Sequence, residues 1–250
     1  MQPMKKLLFI SHSGMLTGAP ILFLNLVKLI KSEEGHDIRI VIKDKRKMEL
    51  AEEFGGTGEV LIWDEYVQPS LLQRIRNRVF GRVDGRMAAV RKNDAQIQEW
   101  INNSDFVISN TITNGDFLES FNFSKTKLIT YVHELEIASK TYTTQHYLNV
   151  VKKLTGTFLV PCRAVAQHLA ENIGIPASNI RLLNYYIPRV ADIVEQKTEK
   201  RFFTIGIAAT IDWRKGADIF PLLVASFFKK YPDANILFLW QGADRTQVEY

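Results

Sequence analysis

The chain has 250 residues, of which 46% are hydrophobic and 24% charged. That balance is ordinary for a soluble globular protein and excludes disorder, collagen and a coiled coil; at roughly 100–200 residues per domain the length suits one large domain or two smaller ones. The 32 Lys and Arg against 27 Asp and Glu give a formal charge of +5, mildly basic and suited to acidic partners such as phosphates or an anionic membrane surface, while the one cysteine, Cys162, excludes an internal disulfide, offers no zinc-ligand spacing and points to a reducing compartment.

The chain opens on Met4-Lys5-Lys6-Leu7-Leu8-Phe9-Ile10, which imitates a signal peptide. Its apolar run stops at Ser11-His12-Ser13, short of the about 7–15 residues such a region needs. No stretch approaches the ~20 apolar residues of a spanning helix, so a cytoplasmic location is expected. Short apolar runs predict buried parallel strands at Lys6–Ser11, Asp37–Ile42, Glu59–Trp63, Phe106–Asn110, Leu128–Val132 and Phe158–Pro161. Helical spacing predicts helices between them at Pro20–Ser32, Lys47–Phe54, Ser70–Asn102, Gly115–Phe121, Tyr142–Leu154 and Arg163–Ile173. Strands alternating with helices argue for an α/β fold, a Rossmann-like domain with a mostly parallel sheet.

Within the long third helix, Leu71–Lys92 combines a basic set (Arg74, Arg76, Arg78, Arg82, Arg86, Arg91, Lys92) with Ile75, Val79, Val83, Met87 and Val90 at helical spacing. It reads as a basic amphipathic helix, either packed with a solvated cationic face or docked on anionic lipid or a lipid-linked acceptor. The domain is expected to span 1–187. The charge-rich stretch 188–201 reads as a linker, and a βαβ pattern follows in 202–250: a strand at Phe202–Ala209, a helix at Lys215–Tyr231 and a strand at Ala234–Trp240. One βαβ unit cannot cover both faces of a parallel sheet, so this second domain is expected to be incomplete.

In open α/β sheets ligands bind outside the carboxyl ends of the strands, and reading those ends collects the candidate site. After the first strand, Ser13-Gly14-Met15-Leu16-Thr17-Gly18-Ala19-Pro20 leads into an apolar helix. Gly14 and Gly18 can take positive φ and admit a ligand to the backbone, and the helix start favours an anion or a sugar hydroxyl; a structural turn fits the same residues. The spacing is not Gly-x-Gly-x-x-Gly, so the dinucleotide fingerprint fails. His133-Glu134 follows the strand Leu128–Val132, where an imidazole can polarise a hydroxyl and a carboxylate can orient it. Asn110-Thr111 ends another strand, with Asn110 either a ligand contact or an ordinary turn residue. His12, His36, His146 and His168 are scattered, without metal-ligand spacing. In the second unit Arg214-Lys215 stands beside a predicted helix start, a placement the helix dipole disfavours unless an anion lies between the cations.

Taken in order, Ser13–Pro20, His133-Glu134, Pro161–Ile187 and Arg214-Lys215-Gly216-Ala217-Asp218 resemble the GT-B fold glycosyltransferases of family 4. The matching features are the Gly18-Ala19-Pro20 loop, His133 at a mid-domain strand end, the Cys162–Leu169 helix, Gly174-Ile175-Pro176…Ile180…Asn184, and Lys215-Gly216. The resemblance implies two Rossmann-like domains, a nucleotide-sugar donor of UDP or GDP type mainly on the second and an acceptor mainly on the first. It further implies transfer with retention of configuration, and no metal or cofactor. Carried over by position, Gly18 lies near the donor diphosphate, His133 stabilises the transition state, and Lys215 pairs with the diphosphate. Ser13, Gly14, Asn110 and Glu134 form the rim.

Three departures bear on the resemblance. Thr210 stands where the family often has an arginine, a role Arg214 can take over. Cys162 replaces a serine. The family's Glu-rich donor motif has no counterpart, so the 250 residues read as the amino-terminal part of a longer enzyme, inactive alone. The implied acceptor is a glycan or lipid-linked glycan of polysaccharide biosynthesis, handled in the cytoplasm or on the inner membrane face. The alternatives are an NAD-type dehydrogenase, which lacks its glycines here, and a degenerate GT-B-like interaction domain. Nucleic acid is not expected as a partner, because the basic residues lack an interleaved aromatic platform.

Overall fold

The computed structural model describes residues 4–33, 35–46, 48–65, 91–123, 127–188 and 202–242. The chain divides into two compact units, Met1–Arg189 and Val190–Tyr250. Most of the charge-rich stretch 188–201, and the basic segment Leu71–Lys92 apart from Arg91 and Lys92, lie outside the described residues.

The first unit is built on a seven-stranded parallel sheet in the order β3-β2-β1-β4-β5-β6-β7. Its strands are β1 (Lys5–Ser13), β2 (His36–Asp44), β3 (Glu59–Ile62), β4 (Phe106–Asn110), β5 (Lys127–Tyr131), β6 (Thr157–Val160) and β7 (Ile180–Leu182). Successive side chains of a strand point to opposite faces, and β1 is apolar at every position from Leu7 to Ile10, so both faces of the sheet are buried. Leu7 and Phe9 pack with Phe23, Leu24 and Val27 of α1 (Gly18–Ser32). Leu8 and Ile10 belong to the opposite core with Ile97, Trp100 and Ile101 of α3 (Asp94–Asn103). That two-sided burial is why the strands read as continuous apolar runs instead of alternating ones.

α1 starts two residues before the expected Pro20, whereas several later helices are shorter than their sequence patterns suggest. The segment expected as a helix over Lys47–Phe54 forms α2 at Ala51–Gly55, because the Leu50 N–H is held by the Gly14 carbonyl at 2.9 Å. In Gly115–Phe121 the helix is α4 (Gly115–Glu119). Two elements escape the periodicity: β7, only three residues long, and α5 (Glu136–Tyr142), which follows the β5 rim directly. The expected helix Tyr142–Leu154 begins later, as α6 (Gln145–Leu154), because Thr144 is extended and its hydroxyl caps the Tyr147 N–H. In α7 (Arg163–Gln167) the helix widens into a π-turn over His168–Ile173 and stops at Gly174, left-handed with φ 76°.

The second unit pairs β8 (Phe203–Ala208) in parallel with β9 (Ile236–Gln241), joined through α8 (Ile219–Lys230). Phe220, Phe227 and Phe228 of α8 meet Phe238 edge-on, and Phe220 also meets Trp240. The βαβ unit read from the sequence is present, with its helix starting at Ile219 instead of Lys215.

Gly115 marks the tightest helix contact near the site. A Cβ there would stand 2.5 Å from both the Cβ and the carbonyl oxygen of Tyr147 on α6. Gly115→Ala is therefore expected to destabilise the first unit by about 1–3 kcal/mol through overpacking, read as a lower thermal midpoint; an unchanged midpoint would show that α4 and α6 separate without cost.

Candidate active site

The sheet reverses direction between β1 and β4: one run of strands extends from β1 to β3 and the other from β4 to β7. A crevice at such a switch point, outside the carboxyl ends, is the natural ligand position of this architecture. Ser11-His12-Ser13 end β1, Asn110 ends β4, and His133 and Glu134 lie just past β5.

Asn110 is fully buried and ties two of these ends together. Its side-chain Nδ2 donates to the Ala19 carbonyl at the start of α1, 3.2 Å away, and its Oδ1 lies 2.8 Å from Nε2 of His133. With Nδ2 committed as donor, Oδ1 is the acceptor, so Nε2 of His133 carries the proton and Nδ1 presents a lone pair. The Tyr185 hydroxyl is 3.3 Å from that Nδ1, and the Tyr185 ring stacks on the imidazole at 25°. From the other side the Tyr131 ring approaches to 4.3 Å between centroids, its hydroxyl donating to the Leu183 carbonyl. Burial, aided by the neighbouring His12, pushes the His133 pKa down to about 4. The imidazole is neutral, oriented and of known tautomer.

These contacts correct two expectations. Asn110 is no turn residue: its side chain ties the start of α1 to the His133 imidazole and positions that ring. Glu134 does not orient the imidazole: its Oε2 accepts the backbone N–H groups of Ile112 (3.3 Å) and His133 (3.1 Å), and burial pushes its carboxyl up against those hydrogen bonds. The carboxylate braces the loop after β4, where Thr111 holds a positive φ of 74°, a strained conformation for a β-branched residue of the kind that clusters at functional sites.

On the β1 side, neither Gly14 nor Gly18 adopts positive φ, so no turn geometry demands glycine at either. Gly14 is buried, its carbonyl occupied by Leu50 N–H; Gly18 opens α1, and a Cβ there would meet nothing within 4 Å. No side chain caps α1 at Thr17, and its first turn holds no acidic residue. The Ser13 hydroxyl is buried without a hydrogen-bond partner among the described residues. His12, which the sequence left among the scattered histidines, belongs to this cluster. Burial and the Lys43 charge lower its pKa to about 4 against an opposing pull from Asp44, and its Nδ1 is buried with no hydrogen-bond partner among the described residues. Strand alternation was the signal that could have found it: His12 and His133 both stand at carboxyl ends of strands.

Arg214 and Lys215 lie in the second unit, within the single 3-10 turn Trp213–Lys215, ahead of α8. Their expected place flanking an anion at a helix start changes accordingly. Arg214 forks onto Asp212, Nε to Oδ1 at 3.0 Å and Nη2 to Oδ2 at 2.8 Å, which holds the Asp212 carboxyl down to about 2. Its charge is engaged within its own turn, where the Lys215 N–H also donates to the Asp212 carbonyl at 2.9 Å and the Lys215 charge adds to the pull on the Asp212 carboxyl. No helix among the described residues is long and apolar enough to cross a membrane.

No protein-family profile and no curated protein matches the chain. Solved structures do. Similarity to TarM reaches a TM-score of 0.60 at 10% identity over 98% of this chain and 73% of that one. A structure described as a UDP-N-acetylglucosamine 2-epimerase from Listeria monocytogenes gives 0.55 at 12% identity over 98% and 64%. An α-glucosyltransferase solved with UDP and a DNA 13-mer gives 0.54 at 12% identity, over 96% of this chain and 56% of its own length. The chain therefore spans little more than half of that enzyme. At these identities the likeness establishes the fold: the Rossmann-like α/β architecture of GT-B enzymes. That α-glucosyltransferase holds DNA on the same fold.

The two depressed histidines make stability pH-dependent. Each titrates at about 4 when folded and at about 6.5 when unfolded, so on acidification the unfolded chain binds protons first. Their contribution is fully present above about pH 6.5 and is lost as the pH falls towards 4. The loss at pH 5 is expected to be about 2 kcal/mol per histidine. His133→Phe should remove its share, so the drop in urea midpoint between pH 7 and pH 5 becomes smaller than in the unaltered protein. Parallel pH profiles would mean that His133 titrates in the fold as it does in the unfolded chain.

Proposed function

We propose that the chain supplies the acceptor side and the start of the donor side of a glycosyltransferase. It would move a sugar from a UDP- or GDP-linked donor to a glycan or lipid-linked acceptor with retention of configuration, on the cytoplasmic side of a membrane, without a metal. The observation that carries this reading is the neutral His133, clamped by Asn110 at the strand-reversal crevice of a GT-B-type sheet. The motif order in the sequence and the nucleotide-sugar enzymes that share the fold support it.

In such a transfer the bond from the anomeric carbon to the diphosphate oxygen breaks, and its electron pair leaves with the diphosphate. The acceptor oxygen forms the new bond, and its proton passes to the departing diphosphate. Positive charge grows on the sugar ring while negative charge grows on the leaving group, and fixed dipoles and charges aimed at those two centres lower the barrier. A neutral imidazole suits the first centre: its Nδ1 lone pair, which the Tyr185 hydroxyl approaches to 3.3 Å, favours the cationic ring, which an imidazolium would repel. Lys215 suits the second.

His133→Ala in the complete protein is expected to lower turnover by roughly 10²–10⁴ while leaving the fold intact; near-normal turnover would remove His133 from the mechanism. Lys215→Ala is expected to weaken nucleotide-sugar binding by roughly 10- to 150-fold, the worth of a charge-assisted phosphate contact. Calorimetry with UDP, GDP and NAD tests both this and the class of enzyme, since selective NAD binding would favour a dehydrogenase. A second reading, a nucleotide-sugar epimerase, follows from the epimerase that shares the fold. Product analysis separates the two, because an epimerase alters the nucleotide sugar with no acceptor present.

A further inference from the structure

Two tyrosines wall the His133 imidazole, and the chain holds them in different ways. Tyr131 is fixed: it is 2% exposed at the end of β5, and its hydroxyl donates to the Leu183 carbonyl at 2.9 Å. Leu183 is itself anchored just past β7, its N–H donating to the Val160 carbonyl at 2.9 Å. Tyr185 lies two residues beyond that anchor and is 42% exposed, and Tyr186 and Ile187 after it are exposed as well. Among the described residues, the approach of the Tyr185 hydroxyl to His133 is the one hydrogen bond made by residues 184–188. Ring contacts and that single hydroxyl keep Tyr185 in place.

The hydroxyl contact is loose where its counterpart is firm. Tyr185 stands 3.3 Å from Nδ1, beyond the about 2.7–2.8 Å of a well-formed hydroxyl hydrogen bond, whereas Nε2 lies 2.8 Å from Asn110 Oδ1. A neutral imidazole has one acceptor nitrogen. With Nε2 committed to Asn110, that acceptor is Nδ1. Burial raises the Tyr185 phenol pKa, and the neighbouring Cys162 and Glu134 add to the effect, so the phenol stays protonated and donates. It fills the position from which a ligand hydroxyl would donate to the same nitrogen.

The Tyr185 ring has a separate effect. It stacks on the imidazole at 25°, opposite no fixed partner of its own beyond Tyr131, whose centroid is 6.4 Å away. Losing the ring would admit water to the imidazole and ease its protonation, against the repulsion from His12. Losing the hydroxyl alone would free Nδ1 and leave the ring shielded.

We infer that Tyr185 is a displaceable cap on His133: its ring shields the imidazole, its hydroxyl holds Nδ1 in the free chain, and a ligand hydroxyl engages Nδ1 by displacing it. Calling that ligand a substrate of sugar transfer rests on the glycosyltransferase reading; the cap itself does not. Tyr185 is thus a positioning residue, acting through the imidazole.

The test uses the full chain without nucleotide. Histidine ring nitrogens are followed by NMR from pH 8 downwards, with the His133 signals assigned by their loss in His133→Phe. In Tyr185→Phe the Nδ1 resonance is expected to move towards that of an acceptor nitrogen without a hydrogen bond, while the titration midpoint stays low. In Tyr185→Ala the midpoint is expected to rise from about 4 to above about 5 as water reaches the ring. Availability of the lone pair is read separately at pH 7 by diethyl pyrocarbonate, which acylates a free imidazole nitrogen, with the His133 peptide quantified by mass spectrometry. Tyr185→Phe should speed that modification about 2- to 13-fold, the worth of one neutral hydrogen bond. Circular dichroism confirms that each variant is folded. An unmoved Nδ1 resonance in Tyr185→Phe, an equal modification rate in that variant, or an unmoved midpoint in Tyr185→Ala would each overturn the inference. Absence of UDP and GDP binding would overturn the glycosyltransferase reading and leave the cap standing.

Discussion

Parallel pairing of β1 on both of its edges is the constraint from which the rest of the first unit follows. β1 holds β2 on one side and β4 on the other, so the chain must leave and return through crossovers that cover both faces of the sheet. Those crossovers bury Phe9 against α1 and Ile10 against the core that includes α3. Because the strand order reverses at β1, the loops after β1 and β4 diverge and leave a crevice. His12, Ser13, Asn110, Thr111 and His133 stand at the strand ends around that opening.

Hydrogen bonding then turns the crevice into a site. A buried asparagine with both amide atoms satisfied is a rigid fixture, and Asn110 uses that rigidity to couple the start of α1 to the imidazole beyond β5. The ends of β4 and β5 and the start of α1 are thereby held together by one side chain. The rings of Tyr131 and Tyr185 exclude water from the imidazole, which is the physical reason it stays neutral. Glu134 is diverted to the backbone of the strained loop at Thr111, where its carboxylate does structural work the imidazole does not need.

The two units treat charge differently. In the first, Lys43 pairs with Asp116 and Arg46 with Asp44 near the end of β2. In the second, Asp212 engages Arg214 through both carboxylate oxygens, so that charge is held within its own turn.

The sequence by itself determined the architecture. Apolar runs such as Leu7–Ile10 and Phe106–Ile108, separated by helical stretches, admit little besides a parallel sheet buried on both faces, and strand-end logic alone brought Asn110 and His133 to one rim. It could not determine which side chains meet there. The hydrogen bond between Asn110 and His133 spans 23 residues, and whether the imidazole turns to Asn110 or to the adjacent Glu134 depends on side-chain direction past the end of β5, which local pattern does not encode. His12 looked like one scattered histidine because its neighbours, Lys43 and His133, are distant in sequence; only strand pairing brings them close. Arg214 looked available because its partner Asp212 closes a tight turn that periodicity reads as the start of a helix. Burial and long-range pairing, which set protonation and free valence, exist only once the chain has folded.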